Sequence, residues 1–462
     1  MKGSVEFGKN SRYRFTGMVR EDHGNAIYGV QFCYWWKTGS ELLATSGSNR
    51  VSVYECDGES SKDSSTVPLK LLWAAKDENA TELYYSVAWG VVDGELILAV
   101  AGLQGIIRVL SVVGVARNLF RGHGGSVNDL QFHPLQQHIL ISASKDHSLR
   151  LWDCKNNVCL GRLGGVNGHR DEVLTFDIIL PRKSDWDKSY GRVVSGSLDH
   201  MICVWNLDDV LKDYDSDNPP KEPKFCHFPQ ISLLDLHADY VDCCRYLPAV
   251  GVVASRAAKE NCVVLWRPLN NGKGDAHAEV MNQLEHKNSA LWWLKFGTNA
   301  TGQVLAAGNQ AGRIQVWRCN PNIPSIPKIQ SLANGKDDCS STLGSTTASH
   351  TTETDDDDRR SSSNFRVPLL MNRFGEELRH PRCDRAVRQV AVSRNGDRII
   401  AATDDGRIWR WDLKEFKEMS GTSMAVKESK TNKSHIKSGS NGASSNGRKP
   451  MSTRATRATN HH

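Results

Sequence analysis

The segment "KDHSLRLW", Lys145–Trp152, contains a tight turn and then a strand in which polar and apolar residues alternate. A turn that feeds a strand of period two is typical of a β-hairpin. The same octet pattern occurs six more times, as "GSNRVSVY" (47–54), "LQGIIRVL" (103–110), "LDHMICVW" (198–205), "KENCVVLW" (259–266), "QAGRIQVW" (310–317) and "DDGRIWRW" (404–411). A hairpin that recurs in this way predicts an all-β fold made of repeats.

The spacing of the octets predicts a seven-bladed WD40 β-propeller. Successive octets end 42 to 61 residues apart, except for the last pair, which is 94 apart, and a four-stranded blade needs about 40–45 residues. The last interval contains 333–364, a polar segment that we predict to be a disordered insertion. The strand-like residues 11–19, "SRYRFTGMV", lack a partner, so we expect them to pair in the last blade and close the ring.

Composition divides the chain into an N-terminal extension (1–10), the propeller (11–413) and a basic disordered tail (414–462). The formal charge is +6; residues 421–462 hold eight Lys/Arg and one acid, or about +7, which leaves about −1 for the rest. A near-neutral body argues against sequence-specific DNA binding. The tail is a candidate nuclear-localisation or nucleic-acid segment and "TETDDDDRRSSS" a candidate phosphorylation site, although both compositions also fit solvated spacers.

Histidines precede the inner strands of four blades, at positions 23, 123, 169 and 237. The spacing of the hydrogen-bonded tetrad of WD repeats is found in His123, Ser142, Asp146 and Trp152, and again in His169, Ser195, Asp199 and Trp205. The alternative is the Ser-His-Asp triad of a hydrolase, but a catalytic triad occurs once, whereas this set recurs. We therefore expect a buried structural network.

Residue patterns of known enzymes and metal sites are missing from the sequence. There is no P-loop, no H-E-x-x-H and no G-x-S-x-G. The 12 cysteines include no C-x-x-C, which favours reduced thiols over a zinc site or a disulfide framework. No apolar run reaches the ~18 residues of a membrane span. We therefore predict a protein that is not an enzyme and that has no metal, cofactor or membrane partner.

The first residues of the seven inner strands indicate a binding surface, because each inner strand begins near one mouth of the central channel. Aligned by their last apolar residue, these strands are "YGVQF" (28–32), "YSVAW" (85–89), "NDLQF" (128–132), "LTFDI" (174–178), "DCCRY" (242–246), "WWLKF" (292–296) and "RQVAV" (388–392). Aromatic residues begin the strands of blades 6, 1 and 2, which are contiguous in a closed ring. The arc consists of Trp292, the adjacent Trp293, Tyr28 and Tyr85, with Arg388 within it and Asp242 at its edge.

An arc of aromatic rings beside an acid favours a quaternary ammonium ligand, such as methyl-lysine. A cation over an aromatic face gains about 0.5–1 kcal/mol at an exposed site and ~2 when desolvated. The alternative is that these aromatics only pack between blades, and the residues leave both open. Side chains alternate along a strand, so of Tyr84 and Tyr85 we expect one to fill the blade and the other to face the mouth.

Longer segments resemble one family of WD40 proteins. They are "GNAIYGVQF", "SNRVSVYEC", "AVAGLQGIIRVL", "SASKDHSLRLW", "GHRDEVL", "YVDCCRY", "AAGNQAGRIQVW" and "DDGRIWRWD". These segments are similar to the extra sex combs / embryonic ectoderm development (ESC/EED) family, the WD40 subunits of Polycomb repressive complex 2. The resemblance covers residues 13–413 apart from the loops and the insertion.

The resemblance implies a nuclear chromatin protein that is not an enzyme. Family members hold the SET-domain histone H3 methyltransferase subunit along one face and read trimethyl-lysine on histone tails at the opposite mouth, in support of gene silencing. The family cage of Phe, Tyr and Tyr with an adjoining Trp matches Tyr28, Tyr85, Trp293 and Trp292. Peptide-binding positions near that mouth match Arg388, Asp242, Tyr240 and Lys145. Tyr28 replaces Phe and Trp293 replaces Tyr, which alters the size of the cage.

A generic WD40 adaptor, for instance a substrate receptor of a ubiquitin ligase, is the second hypothesis. It predicts the same propeller but has no need of an aromatic arc. The first hypothesis is therefore a scaffold and methyl-lysine reader whose partners are the SET-domain subunit, other Polycomb subunits and the trimethylated histone H3 tail.

Overall fold

The computed structural model describes residues 11–36, 40–56, 69–181, 183–270, 276–319 and 371–414, in which 29 strands form seven sheets. The predicted extension 1–10 and insertion 333–364, and the predicted tail from 415 onward, lie outside the described residues. The described α-helix, α1 (Asp208–Leu211), is short, and no helix in these ranges is long and apolar enough to cross a membrane.

Each sheet is one blade of a propeller, with neighbouring inner strands in contact around the channel. Blade 1 contains β2 (Ile27–Phe32), β3 (Glu41–Gly47), β4 (Arg50–Cys56) and β5 (Lys70–Lys76). Blade 2 contains β6 (Tyr84–Val92), β7 (Glu95–Gly102), β8 (Ile107–Ser111) and β9 (Ala116–Phe120). Blade 3 contains β10 (Val127–Phe132), β11 (Ile139–Ser144), β12 (Leu149–Asp153) and β13 (Val158–Leu163). Blade 4 contains β14 (Val173–Ile179), β15 (Arg192–Ser197), β16 (Ile202–Asn206) and β18 (Ile231–Leu233). Blade 5 contains β19 (Val241–Leu247), β20 (Val252–Ala257), β21 (Cys262–Asn270) and β22 (Ala276–Glu285). Blade 6 contains β23 (Gly297–Thr298), β24 (Val304–Gly308), β25 (Ile314–Arg318) and β26 (Glu376–Leu378). Blade 7 contains β27 (Val387–Val392), β28 (Arg398–Thr403), β29 (Arg407–Leu413) and, outermost, β1 (Tyr13–Arg20). A short strand, β17 (Lys224–Cys226), adds a parallel fifth strand to blade 3.

The seven octets form the hairpins between the second and third strands of the blades, as predicted. In six of them the third residue has a left-handed backbone, with φ between +50° and +75°. These residues are Gly105, His147, His200, Asn261, Gly312 and Gly406. Gly and Asn adopt this conformation at little cost, which explains their place in the octets.

The N-terminal strand closes the ring, as the sequence predicts. β1 pairs antiparallel with β29, from Tyr13 opposite Leu413 to Arg20 opposite Arg407. The Tyr13 hydroxyl donates a hydrogen bond of 2.6 Å to the carbonyl of Gly396 and fixes the start of the strand. The first and last strands of the propeller therefore share one blade, which removes an exposed sheet edge.

The apolar core of the described residues consists of seven clusters, and each cluster joins two neighbouring blades. Blade 1 contributes Ile27 and Phe32 to the cluster that it shares with Ile400 and Ile408 of blade 7. Because every blade shares its core with both neighbours, the complete ring buries apolar surface that a single blade would expose.

The predicted histidine networks are present in blades 3 and 4. In blade 3, His123 Nε2 lies 2.7 Å from Ser142 Oγ, its Nδ1 lies 2.9 Å from Asp146, and Trp152 Nε1 donates to Ser142 at 2.8 Å. Blade 4 repeats these contacts with His169, Ser195, Asp199 and Trp205. The hydroxyls of Ser142 and Ser195 are buried, and each is hydrogen-bonded to both a histidine and a tryptophan. Both networks are therefore structural, and neither serine is a free nucleophile.

The other two histidines vary the network. His237 uses Glu260 in place of aspartate, at 2.6 Å. In blade 1 the carboxylate of Glu21 takes the place of the imidazole. It accepts hydrogen bonds from the Thr45 hydroxyl at 2.7 Å and from the Tyr54 hydroxyl at 2.9 Å. His23 contacts the other carboxylate oxygen of Glu21 through Nε2. A histidine before the inner strand therefore does not always occupy the same place in the network.

Candidate functional site

Three aromatic rings from three blades meet where the inner strands begin. The ring centroids are 5.6 Å apart for Tyr28 and Tyr85, 6.0 Å for Tyr28 and Trp293, and 5.2 Å for Tyr85 and Trp293. Their planes meet at 86°, 74° and 66°, so the rings stand as three walls near right angles. A fourth ring, Trp292, lies 5.6 Å from Trp293 and is 43% exposed. We call these four residues the aromatic cage.

β-bulges take the two tyrosines out of the regular strand alternation. The pairing register skips Tyr28 in β2 and Tyr85 in β6, and the extra residue of a bulge is left unpaired. Tyr84 is 2% exposed, lies in the core between blades 1 and 2, and donates its hydroxyl to Asp77 at 2.6 Å. The adjacent tyrosines thus divide the two roles as expected: Tyr84 fills the blade and Tyr85 joins the cage.

The same bulge occurs at the start of four other inner strands and places Asn128, Leu174, Asp242 and Arg388 at equivalent positions. Blade 6 departs from this pattern. The sequence predicts an inner strand over 292–296, but β23 has only two residues, and both tryptophans lie in the loop before it. The predicted alignment was therefore wrong for blade 6: Trp293, and not Trp292, contacts the two tyrosines.

Two buried charged residues hold the loop that carries Trp293. Asp242 accepts a hydrogen bond of 2.7 Å from the backbone N–H of Trp293 and pairs with Arg256. Arg256 also donates to the carbonyls of Ser289 and Leu291, the latter at 2.7 Å. Trp293 has a φ of +62°, which is costly for a bulky residue and needs such contacts to persist.

Asp242 was expected to contact a bound peptide, but its side chain is only 1% exposed. The structure instead places it beneath the cage, where it supports Trp293. Arg256 is 0% exposed and was missed by the sequence reasoning. Its signal was available, since a lone arginine in the apolar segment "VVASRA" of β20 requires a buried partner.

Arg388 connects the cage to blade 7. Its guanidinium pairs with both oxygens of Asp404 and donates to the carbonyl of Trp292 at 3.1 Å. Its Cζ also lies 5.8 Å from the ring centroid of Tyr28. Arg388 is thus at the cage, as expected, and these contacts fix the position of its charge.

A buried ion pair lies below Trp293. Lys295 Nζ is 5.4 Å from the Trp293 ring centroid, 3.2 Å from Asp129 and 2.7 Å from the carbonyl of Asn128. Burial lowers the pKa of Lys295, against the opposing effect of Asp129. Burial also raises the pKa of the Tyr85 phenol, so this cage wall stays neutral at physiological pH.

The remaining predicted mouth residues lie near the turns at the same end of blades 3 and 5. Lys145 pairs with Glu172 at 2.5 Å and keeps 59% of its side chain exposed. Tyr240 is 37% exposed, with its ring 5.6 Å from His200 and 5.8 Å from Lys259 Nζ. Both side chains retain a surface that an extended ligand could contact.

The cage presents π faces and no free charge of its own, which suits a large, weakly hydrated cation. Among the described residues, no group of three or more His, Cys, Asp or Glu side chains is arranged to hold a metal ion. Aromatic faces in this arrangement can attract a cation.

The chain is similar to known WD40 and Polycomb proteins. The model of the WD40 family (WD domain, G-beta repeat) matches residues 114–153, 158–206 and 375–412. The Polycomb protein esc of Drosophila melanogaster is 30% identical over 424 residues, which cover 87% of this chain and 85% of that protein. The chain belongs to the Polycomb esc family. The Polycomb group protein FIE2 of Zea mays is also 30% identical to this esc-family chain, over 89% of it and 94% of FIE2.

Solved structures of Polycomb repressive complex 2 (PRC2) contain chains of the same fold. A chain of the Chaetomium thermophilum complex matches with a TM-score of 0.65 at 15% identity and covers 87% of the esc-family chain and 97% of its own length. A chain from a structure of ctPRC2 in complex with H3K27me3 matches with a TM-score of 0.66 at 17% identity, over 87% and 98% of the two chains. These likenesses establish the propeller fold.

Proposed function

We propose that this esc-family protein is the non-catalytic WD40 subunit of a PRC2-type histone methyltransferase complex, and that its aromatic cage binds trimethyl-lysine on a histone H3 tail. The observation that carries the proposal is the geometry of the cage: three rings near right angles, with centroids 5.2 to 6.0 Å apart. Supporting it, the relatives are Polycomb proteins, and one matched structure is of a complex with H3K27me3.

Selectivity for the methylated side chain follows from hydration. An unmodified lysine ammonium is a compact, strongly hydrated charge with three hydrogen-bond donors, and aromatic faces do not replace the lost water. Trimethylation removes the donors and spreads the charge over methyl groups, so desolvation costs less while the attraction to π faces remains. The half-exposed Trp292 offers an apolar surface to residues that flank the lysine.

The cage is built before the ligand arrives, which lowers the entropic cost of binding. Bulges fix the two tyrosines, and the Asp242–Arg256 pair fixes the loop of Trp293. In the proposed complex, the closed ring leaves other surfaces free to hold the SET-domain subunit and further Polycomb subunits at chromatin in the nucleus. Peptide binding stimulates the methyltransferase if the active state contacts the peptide or cage more favourably than the inactive state.

The test is a calorimetric titration of purified full-length protein with histone H3 peptides that differ only in trimethylation of one lysine. We expect the trimethylated peptide to bind at least about tenfold more tightly, and Trp293→Ala to remove this preference, because it deletes one desolvated wall. Trp293→Phe keeps a smaller wall and should retain part of the preference.

Trp186→Ala is the matched control, since Trp186 is 41% exposed and lies in the loop between β14 and β15, away from the cage. Circular dichroism verifies that each variant keeps its fold. Equal affinity for both peptides in the wild type would refute the reader function and would leave the aromatic cluster as packing in a scaffold.

A further inference from the structure

A second concave feature adjoins the cage and has no role in the function proposed above. It is a cleft of about 520 Å³ formed by the end of β1, the loop before β27 and the turn between β28 and β29. Its charged lining residues are Arg20, Arg382, Asp384, Arg385, Asp404, Asp405 and Arg407. We call it the arginine cleft.

Most of the negative charge in the arginine cleft is already neutralised. Asp404 is held by Arg388 through both carboxylate oxygens. Asp405 pairs with Arg407 at 3.0 Å. Within the described residues, Asp384 is the lining carboxylate that has no ion pair.

The positive charge is mostly uncompensated. Arg20, Arg382 and Arg385 are exposed and have no carboxylate partner among the described residues. Arg407, which pairs with Asp405, also donates through Nη1 to the carbonyl of Arg382 at 3.3 Å. Three guanidinium groups that line the cleft thus remain available to an oxyanion.

The arginine cleft and the aromatic cage share a wall. The guanidinium of Arg388 lies over Tyr28, donates to the carbonyl of Trp292 and binds Asp404, which lines the cleft. One side chain thus separates the two features. An extended peptide advances about 3.3 Å per residue, so a residue two or three positions from a caged lysine can reach the cleft.

We propose that the arginine cleft binds an oxyanion on the same peptide that places its trimethyl-lysine in the cage: a phosphorylated or acidic side chain within three residues of the lysine. The proposal rests on the reader function proposed above. Guanidinium groups present paired N–H donors whose geometry matches phosphate and carboxylate oxygens. The combined site would read a methyl mark together with the charge of its neighbour.

The test is a titration with trimethyl-lysine peptides in which one glutamate or one phosphoserine is moved from three residues before the lysine to three residues after it. Glutamine and serine at the same positions give the neutral references. We expect at least one position to bind about three- to tenfold more tightly than its neutral reference, the range that two partly exposed ion pairs provide. The glutamate and phosphoserine series separate an acidic residue from a phosphate as the source of the anion.

Removing two guanidinium groups in Arg382→Ser/Arg385→Ser should abolish this gain and leave the affinity for the neutral trimethylated peptide unchanged. Arg14→Ser is the matched control, since Arg14 is an exposed arginine on the same strand as Arg20 but near its other end. All of these side chains are exposed, so the variants are expected to unfold at the same urea concentration as the wild type.

The outcomes separate the two proposals. Preference for trimethyl-lysine without any effect of the anion overturns the arginine cleft and leaves the reader function standing. An anion effect that survives the double substitution also overturns it, because the effect then arises elsewhere at the mouth. Binding of a short DNA duplex with the same arginine dependence, together with no peptide effect, would reassign the cleft and refute the proposal. If the wild-type protein shows no preference for the trimethylated peptide, the reader function itself is refuted.

Discussion

Asp242 and Arg256 belong to β19 and β20, and both side chains are withdrawn from solvent. Burying an ion pair gains little stability by itself, because desolvation offsets most of the attraction. Here the pair has further partners: the N–H of Trp293 on one side and the carbonyls of Ser289 and Leu291 on the other. Its specific effect is therefore to hold the loop that carries the third wall of the cage.

Replacing one residue of the Asp242–Arg256 pair should lower the free energy of unfolding more than replacing both. Asp242→Asn leaves the buried Arg256 without its counter-charge and should lower the free energy of unfolding by about 3–5 kcal/mol. Asp242→Leu/Arg256→Met removes both charges and should recover most of that loss. Both variants remove the carboxylate that anchors Trp293, so both should lose affinity for trimethyl-lysine.

Urea unfolding and peptide titration measure the two effects separately. Recovered stability together with weak binding in the double variant is the expected result. A double variant that binds the trimethylated peptide as tightly as the wild type would show that the loop finds its conformation without the pair. Trp186→Ala again serves as the control for effects unrelated to the cage.

At the scale of elements, closure of the ring depends on one strand that is distant in sequence from its partner. β1 pairs along its length with β29, and Phe15 and Met18 pack against the cluster between blades 6 and 7. Without β1, the edge of β29 would be unpaired and Trp409 and Trp411, now 1% and 2% exposed, would lose cover.

Deletion of residues 1–20 should therefore destabilise the whole propeller and cause aggregation through the open edge. Deletion of residues 1–10 is the matched control, because it leaves β1 intact and should keep the wild-type unfolding midpoint. Thermal unfolding and size-exclusion chromatography compare the two. A monomeric protein with an unchanged midpoint after the longer deletion would contradict the role assigned to β1.

The blades and the closing strand could be predicted because local chemistry specifies them. Octets such as Lys145–Trp152 combine a turn residue that tolerates positive φ with a strand of period two, and both signals are local. The loop of Trp292 and Trp293 could not, because its conformation is set by Asp242 and Arg256 of the neighbouring blade. The period-two pattern predicts a strand through this loop and puts Trp292 at the position that Trp293 occupies, whereas the family resemblance assigns Trp293 to the cage. The arginine cleft likewise joins residues from both ends of the chain.

At the scale of the whole molecule, the seven apolar clusters between blades make the ring one structural unit. A change in one cluster therefore affects the stability of the whole ring. The interface between blades 5 and 6 contains a buried histidine, His286. His286 is 1% exposed, and its ring centroid lies 6.0 Å from that of Trp317. Burial, with Arg256 nearby, lowers the pKa of His286 to about 3.

This depressed pKa predicts a loss of stability in mild acid. Between pH 6.5, the usual value for histidine, and pH 3, the unfolded chain binds a proton at His286 that the folded chain excludes, so the stability present above pH 6.5 falls as pH falls. From pH 7.5 to 5.5 this one group should lower the free energy of unfolding by about 1.4 kcal/mol. His286→Leu cannot take up the proton, so its loss over the same interval should be smaller by that amount. Urea unfolding of both proteins at the two pH values isolates His286 from the other titrating groups, and equal losses would mean that the folded ring admits the proton.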